Sequence, residues 1–219
     1  MEKDKKKDQL SLSIYQKLNV IADWIIRLVM INIMVILFSL PLLTFYPALY
    51  AGYRLFDDYV HQDETPLFKG YFLYFKESLG KKLSLGVMLV FLIGFGYWNV
   101  TYYVNELNSQ THWFYAFGYY VTFAALIGMI AVTLYTFVVL HVYPNITLAM
   151  LIKLSFYLSG KYFVKTILLL IVMVFPYAMF LAPITFFLFV FVGLSTPLLL
   201  YAWITVSVKK YLKGLEFKI

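Results

Sequence analysis

The chain has 219 residues, of which 63% are hydrophobic and only 13% are charged, and its formal net charge is +7. A soluble domain is closer to half apolar and a quarter charged, so this composition excludes a water-soluble globular protein. The absence of cysteine excludes disulfides, thiolate metal sites and a cysteine nucleophile. In a membrane protein, positive charge is typical of segments that face anionic cytoplasmic lipid, and we expect no nucleic-acid partner.

The N-terminal segment is polar and precedes the first apolar run. It lacks the short apolar core and small-residue cleavage site of a secretory signal, so residues 1–10 are predicted to be a disordered, basic cytoplasmic tail. Residues 11–219 are predicted to form a single transmembrane domain. A span needs about 20 apolar residues, and the first such run covers approximately residues 20–40.

Asp23, Arg27 and Asn32 are polar residues within this first run. Asp23 and Arg27 are four residues apart, so they lie on one helix face and are a possible intramembrane pair. Intramembrane polar residues are functional candidates because they are costly in lipid. For this pair, an orienting role near the inner interface is the simpler interpretation. Asn32 lies deeper, where an interhelical hydrogen bond is the more common role.

The stretch SLPLLTFYPALYAGY, residues 39–53, contains two prolines and has two interpretations. It is either the outer turn of a helical hairpin, with a short or re-entrant returning arm at 47–60, or the end of one span followed by an interfacial helix. Proline suits the first turn of a returning helix, and threonine can bond the freed backbone groups. The predicted turn motif is Leu40, Pro41, Thr44, Pro47 and Ala48.

The distribution of positive charge favours the hairpin. If the chain crosses an even number of times between residues 20 and 56, every Lys-rich segment faces the cytoplasm, whereas a single crossing divides them between the two sides. We therefore predict that both termini are cytoplasmic.

The remaining spans follow from uncharged runs. The uncharged run 166–208 would measure about 65 Å as one helix, which is twice the membrane core, so we predict two spans with a break at Pro183. Aromatic, amphipathic segments precede two of the spans and suit the inner membrane surface. The later spans are predicted at 83–104, 113–140, 163–182 and 185–207, and the interfacial helices at 66–80 and 147–160.

The predicted fold is therefore an all-α integral membrane protein. It is a bundle of five to six transmembrane helices arranged as hairpins, with amphipathic helices on the cytoplasmic side.

The sequence offers no pattern typical of catalysis, a metal site or a bound cofactor. The histidines, His61, His112 and His141, fall on three separate segments without metal-ligand spacing. We expect neither a catalytic nor a cofactor-binding residue, and no enzymatic activity. An acidic group in one inner loop is predicted to be a solvated turn; it comprises Asp57, Asp58, Asp63 and Glu64.

The segment SLPLLTFYPALYAGYRLFDD resembles the YesL-like family of small bacterial integral membrane proteins, a family of unknown function. The downstream segment YFLYFKESLGKK resembles the Phe- and Lys-rich segment of that family. Members are typically encoded beside carbohydrate ABC importers and polysaccharide-degrading enzymes. The resemblance implies a bacterial plasma membrane location and an accessory role in oligosaccharide import, with the lipid bilayer and permease or other importer subunits as partners.

Two other functions stay open. Broken helices can line a substrate site, so a stand-alone small-solute transporter is one alternative. A membrane scaffold or regulatory protein is the other.

Overall fold

The computed structural model of the chain describes residues 2–109, 113–181 and 183–215. The described parts are 89% helical and contain no strand. The helices are α1 (Glu2–Ser39), α2 (Phe45–Val60), α3 (Leu67–Lys76), α4 (Leu79–Ser109), α5 (Trp113–Val142), α6 (Leu148–Lys161), α7 (Phe163–Ala178), α8 (Pro183–Leu188) and α9 (Ser195–Gly214). A 3₁₀ turn (Leu42–Thr44) precedes α2, and a π-helical turn (Phe189–Gly193) precedes α9.

Three helices of the described chain are long and apolar enough to cross a membrane: the Tyr15–Ser39 part of α1, α4 and α5. Two bent pairs bring the number to five if each pair is one span. The α6–α7 pair bends by 101°, and the pair of Thr185–Gly193 and α9 bends by 51°. The prediction of an all-α membrane bundle is confirmed.

The predicted turn at residues 39–53 reverses the chain. Thr44 stabilises the turn, because its hydroxyl donates to the carbonyl oxygens of Phe38 at 2.6 Å and Pro41 at 2.8 Å. The segment after the turn packs against α1, because the backbone of Gly52 lies close to Val35 and Ile31. Helices α1 and α2 are therefore an antiparallel hairpin.

Helix α2 lies at the centre of the bundle. Twelve of its residues are buried, and it packs against α1, α3, α4, α5 and α9. Its 16 residues measure about 24 Å, which is shorter than a membrane core of about 30 Å. The helix is enclosed by protein, so its side chains meet other helices rather than lipid.

Helices α4 and α5 extend away from this core as a paired arm. Gly96 of α4 lies against Leu126 of α5, and Gly118 of α5 lies against Tyr103 of α4. The outward faces are apolar and highly exposed, as at Phe91 (75%). Such a surface is suited to lipid.

The structure differs from the sequence prediction at several places. The predicted span 185–207 is interrupted by the π-helical turn (Phe189–Gly193) before α9. Residues 2–10 continue α1, where a disordered tail is predicted. Helix α3 ends at Lys76, four residues before the predicted end, because Ser78 adopts a left-handed φ of 48° and a new helix begins at Leu79. Helix α7 ends at Ala178, four residues before the predicted end of that span.

Candidate functional site

One face of α2 carries a row of buried polar side chains. Tyr46, Tyr50, Tyr53 and Asp57 follow the spacing i, i+4, i+7 and i+11, which places them on the same side of a helix. All four are at most 3% exposed. The rings of Tyr53 and Tyr201 meet edge to face at 4.9 Å, so the row packs against α9.

Asp57 is the centre of a buried charged cluster. Lys209 of α9 donates a hydrogen bond to Oδ1 of Asp57, and both side chains are almost fully buried. Nδ1 of His141 in α5 lies 3.3 Å from Oδ2 of Asp57, and Nδ1 of His61 lies 3.9 Å from Oδ1. Tyr53 also approaches Nδ1 of His141, at 3.5 Å. The cluster joins α2, α5 and α9 and neutralises the buried carboxylate.

The next residue, Asp58, holds α3 against α2. Its Oδ2 accepts hydrogen bonds from Thr65 at 2.8 Å and from the Tyr74 hydroxyl at 2.5 Å. Burial, together with this hydrogen bond to the carboxylate, raises the pKa of Tyr74 above its ordinary value. The guanidinium of Arg54 lies over the Tyr74 ring, 4.5 Å from its centre. Asp58 therefore acts as an anchor for the surface helix.

Lys82, at the start of α4, is fully buried. Its ammonium group donates to the carbonyl oxygens of Tyr74 and Phe75 and lies 4.6 Å from the centre of the Tyr50 ring. The last carbonyls of a helix have no partner within it, and a cation there also interacts favourably with the helix dipole. Lys82 thus caps α3.

The acidic group predicted to be a solvated turn is divided in the structure. Asp57 and Asp58 are buried in α2, whereas Asp63 and Glu64 are exposed in the following loop. The prediction is wrong for the first two. Asp57 is paired with residues of α5 and α9 that lie far along the chain, and Asp58 is covered by Thr65 and Tyr74 when α3 folds against α2.

Asp23 and Arg27, the possible intramembrane pair, form an ion pair of 2.7 Å on the surface of α1. Arg27 also lies over the ring of Tyr59 in α2, 4.2 Å from its centre. The pair therefore contributes to contact between the first two helices.

Asn32 makes four hydrogen bonds to one break in the chain. Its Nδ2 donates to the carbonyl oxygens of Phe189 at 2.9 Å and Val190 at 2.7 Å, and its Oδ1 accepts from the N–H groups of Leu194 at 2.7 Å and Ser195 at 2.9 Å. The first N–H groups of a helix have no partner within it, so one carboxamide satisfies donors and acceptors at the junction before α9.

The cluster was not predicted as a unit. Its one local signal is the spacing of the three tyrosines and Asp57 on α2. The sequence around Lys209 and His141 does not indicate that these residues contact Asp57. Although Asp57 lies near both His61 and His141, no group of three His, Asp or Glu side chains in the described residues could hold a metal ion. His112 lies outside the described residues.

Comparison with known proteins shows a similarity to a protein family. Residues 28–100, about a third of the chain, match the model of a family described as "Protein of unknown function, DUF624". No curated protein matches the chain. No solved structure matches it either. The matched segment contains Asn32, the whole of α2 and α3, and Lys82. His141 and Lys209, the partners of Asp57 on α5 and α9, lie outside it.

Proposed function

We propose that the chain is a non-enzymatic, multi-pass protein of the bacterial plasma membrane that acts as an accessory component of oligosaccharide ABC import. The resemblance of residues 39–58 to the YesL-like family supports the context of sugar import. This support is an analogy and carries no mechanism by itself.

The observation that favours an accessory role over solute passage is that the buried polar groups already have partners within the protein. A carrier needs side chains that are free to hold a polar solute near the middle of the membrane. Asp57 is instead occupied by Lys209 and His141, and the carboxamide of Asn32 is occupied by four backbone groups. These groups hold the helices together, which is what a stable docking partner requires.

The orientation in the proposal has both termini in the cytoplasm. Asp57 late in α2 meets His141 late in α5 and Lys209 late in α9, so these three helices end on the same side of the bundle. The early part of α7 joins them, since Tyr135 and Thr166 are bonded at 3.0 Å. The Lys-rich segments of the chain adjoin these ends, and such segments favour the cytoplasmic side.

The test is purification of the tagged chain in mild detergent from a strain that expresses candidate oligosaccharide importers. We expect importer subunits to co-purify with this chain. The control is an equally tagged multi-pass protein of unrelated function, with which the importer subunits should not co-purify. A deletion strain should take up the oligosaccharide more slowly, and the wild-type chain should restore the rate. Absence of association together with unchanged uptake would contradict the proposal. Sugar flux into vesicles that contain this chain alone would favour the stand-alone transporter.

A further inference from the structure

A cavity of about 330 Å³ lies among α2, α5, α7 and α9. This volume is within the range of small-ligand pockets, which is roughly 300–1,000 Å³. The floor of the cavity is formed by buried side chains, among them Phe137, Leu169, Leu198 and Tyr201. The cavity therefore reaches the interior of the bundle and is distinct from the charged cluster at Asp57.

The cavity offers little to a polar ligand. Among the residues that the structure describes, no charged side chain lines it. Three of its lining hydroxyls are bonded within the protein: Tyr46 to Thr136 at 2.6 Å, Thr133 to the carbonyl oxygen of Met129 at 2.9 Å, and Tyr201 to the carbonyl oxygen of Leu134. A buried water needs two to four polar partners, and apolar cavities stay dry and take up apolar ligands. The chemistry of the lining selects a hydrocarbon.

The mouth of the cavity is at the lipid-facing side of α7. Met173 is 48% exposed and Tyr177 is 71% exposed, in contrast to the buried floor. Pro176 lies between them inside α7, where it removes one backbone hydrogen bond of the helix. The helix ends two residues later, at Ala178. The cavity is thus open on the side of α7 that faces the hydrocarbon of the bilayer. Its opposite side is closed by the buried side chains of the floor.

We propose that this cavity binds an acyl chain, which enters between α7 and its neighbours from the membrane. The argument rests on the apolar floor, the occupied hydroxyls and the lipid-facing mouth, and it is independent of any role in sugar import. The proposed occupant is the chain of a bilayer phospholipid.

The test uses the whole protein in nanodiscs that contain a phospholipid with a photoreactive diazirine near the end of its acyl chain. After irradiation, we expect adducts on floor residues such as Phe137 and Leu198, which bulk lipid does not reach. Adducts confined to exposed residues such as Phe91 would overturn the proposal. A parallel experiment with the free diazirine fatty acid decides the source: floor adducts from the fatty acid alone would overturn the assignment to phospholipid.

A cavity-filling variant provides the matched comparison. Val172 lines the cavity, whereas Val174 on the same helix is exposed and does not line it. Val172→Trp should lower floor adducts about tenfold, and Val174→Trp should leave them unchanged. Leu49→Trp narrows the cavity from α2 and should act as Val172→Trp does, so the result does not depend on the folding of one variant. Equal floor labelling in all three variants would contradict the proposed site.

Discussion

Lys209 of α9 donates a hydrogen bond to Asp57 of α2, although 152 residues separate them in the chain. Each side chain is about 95% buried, so neither charge is solvated by water. The pair fixes the last long helix of the described chain against the central one. The two charges are costly to bury singly and tolerable together.

Lys209→Met should therefore strongly destabilise the protein. The substitution leaves the carboxylate of Asp57 buried without its main cationic partner, and loss of one partner of a buried pair costs about 3–5 kcal/mol. Chemical unfolding in detergent measures the change in the free energy of unfolding. Lys210→Met is the control, because Lys210 is exposed and adjacent.

The double variant Asp57→Asn/Lys209→Met should recover much of the loss, since no unpaired buried charge is left. If the two variants Lys209→Met and Lys210→Met had the same free energy of unfolding, the ion pair would contribute nothing to the stability of the protein.

Asn32→Leu should destabilise the protein at the junction before α9. The change keeps the size of the side chain but leaves two carbonyl groups and two N–H groups without their present partner, and each unsatisfied buried group costs about 1–3 kcal/mol. Asn99→Leu is the control, because Asn99 is half-buried and donates a hydrogen bond to the carbonyl oxygen of Phe95 in its own helix. We expect a loss of at least about 2 kcal/mol for the first variant and a change within about 0.5 kcal/mol for the second. Similar unfolding curves for both variants would show that the four bonds are not needed.

Gly52→Val should weaken the packing of α2. A Cβ atom at Gly52 would lie 2.9 Å from side-chain atoms of both Leu198 and Val35. Overpacking of this kind costs about 1–3 kcal/mol. Gly94→Val is the control, since a Cβ there meets nothing within 4 Å. Both variants place a β-branched residue in a helix, so the difference between their free energies of unfolding reports packing alone; no difference would refute close contact at Gly52.

Cysteine labelling should place Leu42 and Lys210 on opposite sides of the membrane. The chain has no cysteine of its own, so each introduced thiol is unique. Leu42 is 72% exposed in the turn between α1 and α2, and Lys210 is exposed beside the charged cluster. A membrane-impermeant maleimide added to intact cells should label Leu42→Cys. Lys210→Cys should react only after permeabilisation. Reaction of both variants from the same side would rule out the hairpin topology.

The helices were predictable because lipid imposes simple demands on sequence. The uncharged runs that become α4 and α5 are long enough to span, and only a helix satisfies its backbone groups in lipid. The turn between α1 and α2 was also predictable, since Pro41, Thr44 and Pro47 act on the backbone within a few residues.

The partners of Asp57 were not predictable from local sequence. A run of charged residues after an apolar segment is usually a solvated turn, and burial of Asp57 depends on residues of α5 and α9 that fold against it. The end of α3 was not predictable from local sequence either, because it also depends on a residue of another helix. The interfacial helix was predicted to continue to residue 80, but the carbonyl oxygens of Tyr74 and Phe75 accept hydrogen bonds from Lys82 of the next helix, and α3 ends at Lys76.

The central position of α2 has a consequence for biogenesis. The helix leaves the ribosome early, but it is too short and too polar to reside in lipid by itself, and Lys209 is synthesised 152 residues after Asp57. Until α9 has been made, the first hairpin therefore lacks Lys209, the main cationic partner of Asp57. Because the core closes only when the last long helix arrives, chains truncated before α9 should be substrates for membrane proteases rather than stable fragments.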